Sequence, residues 1–256
     1  MVTVGALALL FGTCLTIASA TSLLLKAAAS RQRRLAENTS VTPLSTWRPG
    51  TRRVAGLATT AFGPGGAVIG PVSGAQCAWF AVQLQRMPSR SKDESPPPYD
   101  VLVDIASPTP PALVDESGSV LIDPALLTTA PNLDDPVVTD VTVRLVHGGL
   151  PNPAPSVVTR KHIDGARSGE TLRVVETRLD AGKRAYALAS AARHNGSVIL
   201  RPTRRRTFSV LTTDNHSVVV TRRHTNAREA GSLAVTLGKA GLVITAAAAV
   251  LLFLVV

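Results

Sequence analysis

The sequence predicts a mainly β fold, a β-sandwich or a partly closed β-barrel, flanked by two transmembrane helices. Three observations carry that expectation. An uncharged apolar run lies at each end, short interior stretches alternate apolar and polar residues, and turn-forming residues recur between them. A helix needs about 20 apolar residues to cross about 30 Å of hydrocarbon, whereas a half-buried strand alternates with period two.

Val2 to Leu25 carries no charge, and Lys26, Arg31, Arg33 and Arg34 follow it directly. Positive residues beside a span favour the cytoplasm, so the N-terminus is expected outside and the domain inside. The rival reading is a cleaved signal peptide, because Ala18-Ser19-Ala20 resembles a cleavage site. A signal peptide, however, puts its positive charges before the apolar stretch and not after it.

Gly241 to Val256 is also uncharged but reaches only about 24 Å as a helix. Extension back to Leu233 recovers a full span and includes Lys239, whose stem can reach the interface. Arg222, Arg223 and Arg228 lie on the soluble side. A buried amphipathic helix packed on the domain is the alternative for this segment. The expected organisation is a transmembrane helix over 1–25, a basic juxtamembrane linker over 26–51, a β domain over 52–225, and a juxtamembrane segment with a second transmembrane helix over 226–256. Both termini are expected outside and the domain in the cytoplasm.

In the interior, Cys77 to Arg86 ends in alternation, with Phe80, Val82 and Leu84 on one face and Gln83 and Gln85 on the other. Val141, Val143 and Leu145 alternate in the same way. Thr171 to Leu179 and Ala185 to Ala191 flank Asp180-Ala181-Gly182-Lys183, a hairpin turn in which Gly182 is free to take positive φ. Asp115-Glu116-Ser117-Gly118 does the same between Leu113-Val114 and Val120-Leu121-Ile122. Two later strands, Thr207 to Leu211 and Ser217 to Thr221, are expected to join at Thr213-Asp214-Asn215. Met87 to Tyr99, Ser107 to Pro111 and Leu150 to Ser156 read as proline-bearing loops, since proline removes a ladder donor. Pro96-Pro97-Pro98-Tyr99 also matches a polyproline ligand, though a plain loop accounts for it.

Lys and Arg number 27 against 17 Asp and Glu, a net charge of +10. A balance this basic suits nucleic acid, anionic lipid or an acidic protein. Aromatics make up 4% of the chain, too few to stack bases along a basic patch, so nucleic acid is not expected. Arg31, Arg33, Arg34, Arg222 and Arg223 flank the apolar runs and point to anionic membrane lipid, with a membrane or cytoplasmic protein as further partner. The two cysteines and five histidines are scattered, so neither a zinc site nor another cofactor is expected.

Several stretches, in order, resemble the GIDE-domain family, the membrane-adjacent module of the mitochondrial ubiquitin ligase MULAN. Gly56 lies in Arg53-Val54-Ala55-Gly56, and Pro71, Ser73, Gly74, Cys77 and Trp79 look like the family's "PLSG-x-x-C-x-W/Y". Asp115, Gly118, Asp123 and Pro124 look like its "D-x-x-G-x-x-x-x-D-P" hairpin. Glu176, Leu179, Gly182 and Tyr186 are similar to its "E-x-x-L…G-x-x-L/Y", and Phe208 resembles its late "P-F-x-I" strand. The resemblance covers about residues 52–225 and implies an E3 ubiquitin ligase whose zinc-binding RING recruits a ubiquitin-charged carrier. A RING needs eight Cys or His ligands, and the whole sequence holds two cysteines, so ligase activity is not expected of this chain itself.

Alternation puts Glu176 on the face of Leu172 and Val174. A carboxylate there serves as a general base or, with no nucleophile beside it in sequence, as a hydrogen-bonded brace. Ser73 lacks the G-x-S-x-G elbow of a hydrolase, and Cys77 opens an apolar strand, so neither is expected to be catalytic. The functional expectation is a non-catalytic interaction or scaffolding module at the membrane face, with membership of the ligase family as the alternative.

Overall fold

The structure is a computed structural model that describes residues 2–87, 99–129, 137–145, 159, 170–203 and 209–255. It divides into two compact units, one of residues 1–39 with 216–256 and one of Ser40–Asn215.

The first unit is a pair of helices, α1 (Val2–Glu37) and α3 (His216–Val255). At 1.5 Å per residue these reach about 54 and 60 Å, well beyond the thickness of a hydrocarbon core. The stretches Thr13–Glu37 and His216–Val250 are each long and apolar enough to cross a membrane. The helices run antiparallel. His216 Nε2 lies 3.1 Å from the Ala36 carbonyl, the Ser19 hydroxyl donates to the Ala234 carbonyl at 2.8 Å, and Gly241 faces Leu15 and Thr16. Facing positions repeat at intervals of four and three, as in a coiled coil: Leu15, Ser19, Ser22 and Lys26 on α1, and Ala227, Gly231, Ala234, Gly238 and Gly241 on α3. Small residues let the two backbones approach, which is how helices associate where no hydrophobic force drives them together.

The second unit is mainly β. Strands β1 (Val54–Ala61), β6 (Ala112–Asp115), β7 (Gly118–Ile122), β11 (Ser197–Arg201) and β10 (Arg184–His194) form a closed five-stranded barrel in that order, sealed by the β1–β10 pair. Every pair in the ring is antiparallel except β7 with β11. This order, with its single parallel pair, is that of the OB-type Greek-key barrel. A short helix, α2 (Pro124–Thr129), follows β7 and drops Leu126 and Leu127 into the barrel core with Leu113, Ile122, Ala187 and Leu200. Strand β12 (Val210–Thr212) pairs with β10 beyond the end of β11.

Two insertions into the barrel build a second sheet. Between β1 and β6 the chain adds β2 (Val68–Ile69), β3 (Gln76–Cys77), β4 (Trp79–Met87) and β5 (Asp100–Ala106), and between β7 and β10 it adds β8 (Thr139–Leu145) and β9 (Thr171–Leu179). These give a four-stranded antiparallel sheet in the order β5-β4-β9-β8, with β2 and β3 as a separate small hairpin. Val82, Leu84, Leu172 and Val174 form its own apolar cluster, while Trp79 and Leu179, at the ends of β4 and β9, belong to the barrel core. The alternation read from the sequence therefore describes this sheet.

One expected hairpin is wrong. Ser217 to Thr221 is not a strand, because α3 already begins at His216, and Thr213-Asp214-Asn215 leads into a helix. The β-branched run Val218-Val219-Val220 suggested β structure, but Val219 is buried at 1% exposure within the helical unit, and tertiary packing overrides a weak local preference. α1 continues past Leu25 to Glu37, so Lys26, Arg31, Arg33 and Arg34 are helical. Phe208, the arginines at 204–206 and most of the proline-bearing loops lie outside the described residues.

Candidate functional site

The polar residues singled out from sequence gather at two places in the β unit. The first is centred on Glu176, whose side chain points inward from β9 as alternation predicts and is fully buried. Its cross-strand neighbours are Val82 and Val141, so the strands offer the carboxylate no partner of their own. The loop 70–75 supplies them. Oε2 accepts from the Val72 and Ser73 N–H groups at 2.7 and 3.2 Å, and Oε1 accepts from the Ser73 hydroxyl at 2.5 Å.

The loop's remaining donors close on themselves. Gly70 N–H donates to Ala75 O, Gly74 N–H to Gly70 O, and Ala75 N–H to Ser73 Oγ, while Pro71 has none to place. Gly74 turns the loop at φ +65°, where a side chain would be strained. Gly70 is required for a different reason: a Cβ there would stand 2.6 Å from Glu176 Oε1 and 2.8 Å from Ser73 Oγ.

The Ser73 hydroxyl is thus a donor to a carboxylate inside a turn. Cys77, four residues further on, is fully buried. Burial pushes its thiol up, the negative charges of Glu176 and Asp180 push it further, and the Trp79 N–H and Arg178 oppose them. A raised pKa leaves the thiol protonated, the opposite of an activated nucleophile. Tyr186, also buried, has its phenol pushed up to about 12 by desolvation. Gly182 takes φ +83° in the β9–β10 turn, which is locked by the buried Thr60: its hydroxyl donates to Asp180 O at 2.7 Å and accepts from Lys183 N–H at 2.9 Å.

The second cluster is the β6–β7 turn. Asp115 Oδ1 accepts from the Ser117 and Gly118 N–H groups and from the Ser117 hydroxyl, at 2.7, 3.0 and 2.6 Å. Its Oδ2 accepts from Leu44 N–H at 2.9 Å, and Ser45 N–H donates to Ser117 Oγ, so the turn pins the segment 40–47 to the barrel. In that segment Trp47 is buried over Gly56, where a Cβ would stand 2.6 Å from the indole Cζ2, and its Nε1 donates to Thr42 Oγ1. Asp123 begins α2 by accepting from Ala125 N–H at 2.9 Å and pairs with Arg201 at 3.1 Å, while Pro124 fits the first helical position.

Burial raises the Asp115 pKa, but the hydrogen bonds from Ser117, Leu44 and Gly118 outweigh it and hold the carboxyl below its ordinary 3.8. The ionised form therefore stabilises the fold above that value, and the contribution is lost as pH falls through the lowered folded-state value. Asp115→Asn should cost about 1 kcal/mol at pH 7 and flatten the fall in stability below pH 3.8. Urea midpoints at pH 7 and pH 3 test this in the full chain, because both tryptophans, Trp47 and Trp79, lie buried in the β unit and report its unfolding. An unchanged acid limb would mean the turn does not hold the carboxylate.

Among the described residues no group of three or more His, Cys, Asp or Glu side chains is placed to hold a metal ion. An open cleft of about 970 Å³ runs along β1 and the β6–β7 turn, with Leu57, Ala58 and Val114 among its walls and Asp115, Glu116 and Arg184 as its charges. The basic residues are not equivalent. Arg31 and Arg34 are exposed and Arg33 pairs with Glu37 at 2.8 Å, whereas Arg222 and Arg223 are half-buried.

Fold and site together define a class: one unit is an OB-type barrel with an inserted sheet, and the other is a pair of long apolar helices, Val2–Glu37 and His216–Val255. Comparison with protein families, with characterised proteins and with solved structures gave no match.

Proposed function

We propose that the chain is a membrane-held, non-catalytic interaction module of the GIDE kind, in which the helix pair anchors a β domain that acts by contact. The observation that carries this reading is the antiparallel helix pair: its two stretches have the length and composition of membrane spans, and small residues line their seam. An antiparallel pair returns the chain to the side it left, so both connections to the β domain would emerge on one membrane face, and the flanking arginines favour the cytoplasmic one.

Two further points support contact over catalysis. Glu176, Ser73, Asp115 and Asp123 spend their acceptors and donors on loop, turn and helix ends. The β6–β7 face, where OB-type barrels bind oligonucleotides, carries Asp115 and Glu116 with no aromatic and no basic residue, which disfavours nucleic acid. The GIDE resemblance motivates the ligase alternative, with a RING supplied by another chain.

The reading is tested by photo-crosslinking in native membranes, comparing the full chain with one in which residues 40–215 are replaced by a short flexible linker. The truncated chain should remain in the membrane and lose the full chain's protein neighbours. The same neighbours with and without the β domain, or ubiquitin transfer by the purified chain alone, would contradict it.

A further inference from the structure

The helix pair holds one basic side chain in an unusual place. Lys26 occupies a seam position of α1, immediately after the last residue of the uncharged run, Leu25. Helical side chains tilt toward the helix N-terminus, which for α1 is its apolar end. The contacts agree: a Cβ on Gly231 would stand 2.9 Å from Lys26 Cε and 3.0 Å from Nζ, so the lysine stem lies across α3 in the notch that this glycine leaves. Beyond Gly231, α3 becomes apolar from Leu233 onward apart from Lys239. The Lys26 ammonium thus stands where both helices turn apolar.

Lys26 is exposed on the surface of the pair, and a charge facing the edge of the hydrocarbon favours a counter-charge. Lys26 makes no ion pair among the described residues, and Glu229, two residues before Gly231, does not supply one. Arg228, three residues before Gly231, is exposed and adds a second cation nearly one turn further toward the polar end of α3. On the membrane reading above, on which this inference rests, the groups found just outside the hydrocarbon are lipid phosphates, in a layer of about 5–7 Å. We propose that Lys26, laid over Gly231, forms with the nearby Arg228 a binding site for the phosphate of an anionic membrane phospholipid. This is a positioned contact and not only the attraction of a basic surface.

The two differ in what they require. Surface attraction depends on the number of charges, whereas a positioned site depends on the notch. The full chain is reconstituted into phosphatidylcholine bilayers, and its association with spin-labelled phosphatidylglycerol is compared with that of spin-labelled phosphatidylcholine. Lys26→Gln should lower the preference for the anionic probe about fivefold, and Gly231→Ala, which changes no charge, should lower it by a similar factor. Gly238→Ala is the control, because its Cβ would crowd Ser19 Oγ at 2.8 Å in the same seam without touching a basic residue, and it should keep the preference. Full preference in Gly231→Ala, or an equal loss in Gly238→Ala, would overturn the site. A wild-type chain that enters the bilayer without preferring the anionic probe sinks only this inference, whereas one that does not enter at all sinks the membrane reading beneath it.

Discussion

Replacing Glu176 with alanine should destabilise the β unit by about 4 kcal/mol, among the largest effects of any single polar substitution in the chain. The estimate follows from what the carboxylate holds. It receives the Val72 and Ser73 N–H groups and the Ser73 hydroxyl, and it is fully buried. Truncation leaves those donors without an acceptor, each costing about 1–3 kcal/mol when water cannot reach it. Glu176→Gln should cost less, about 2 kcal/mol, because one oxygen can still accept from Ser73 while the amide turns a donor toward two N–H groups. Urea unfolding followed by tryptophan fluorescence measures both. A general base would behave differently, with little change in midpoint on replacement by glutamine and an activity that disappears.

Gly70→Ala is expected to be nearly as costly, about 2–3 kcal/mol, the upper part of the usual range for crowding a packed site. The added Cβ would meet Glu176 Oε1 at 2.6 Å and must push the carboxylate off its donors. Because the damage is done through Glu176, the two substitutions should not add. In a Glu176→Ala background, Gly70→Ala should cost less than about 1 kcal/mol, a coupling that a double-mutant cycle reads directly. Additive losses would show that Gly70 is needed for some other contact.

These predictions mark the limit of what the sequence carried. Strands with a local signature were legible: the Asp115–Gly118 and Asp180–Lys183 turns sit where turn chemistry puts them, and the Leu172, Val174 and Glu176 alternation correctly turns the carboxylate inward. What lay beyond local pattern was not legible. The barrel includes one parallel pair, Ile199 and Leu200 with Leu121 and Ile122, and nothing near either segment announces the other. The second sheet is assembled from two separate insertions, so its β4–β9 register is likewise invisible from either strand alone.

The site was half legible. Glu176 could be found by period, but its donors lie in a loop from a distant part of the chain, and a glycine before Pro71 marks a tight turn at Gly70 without showing what crowds it. Val218-Val219-Val220 misled because a β-branched run reads as strand until the long helix that contains it is seen.

The proposed function requires the helix pair to belong in lipid, and alkaline carbonate treatment of membranes containing the full chain tests this most directly. The chain should stay in the membrane pellet at full length, with α1 intact at its N-terminus. Release into the supernatant, or a mature chain that has lost the residues before Lys26, would contradict it.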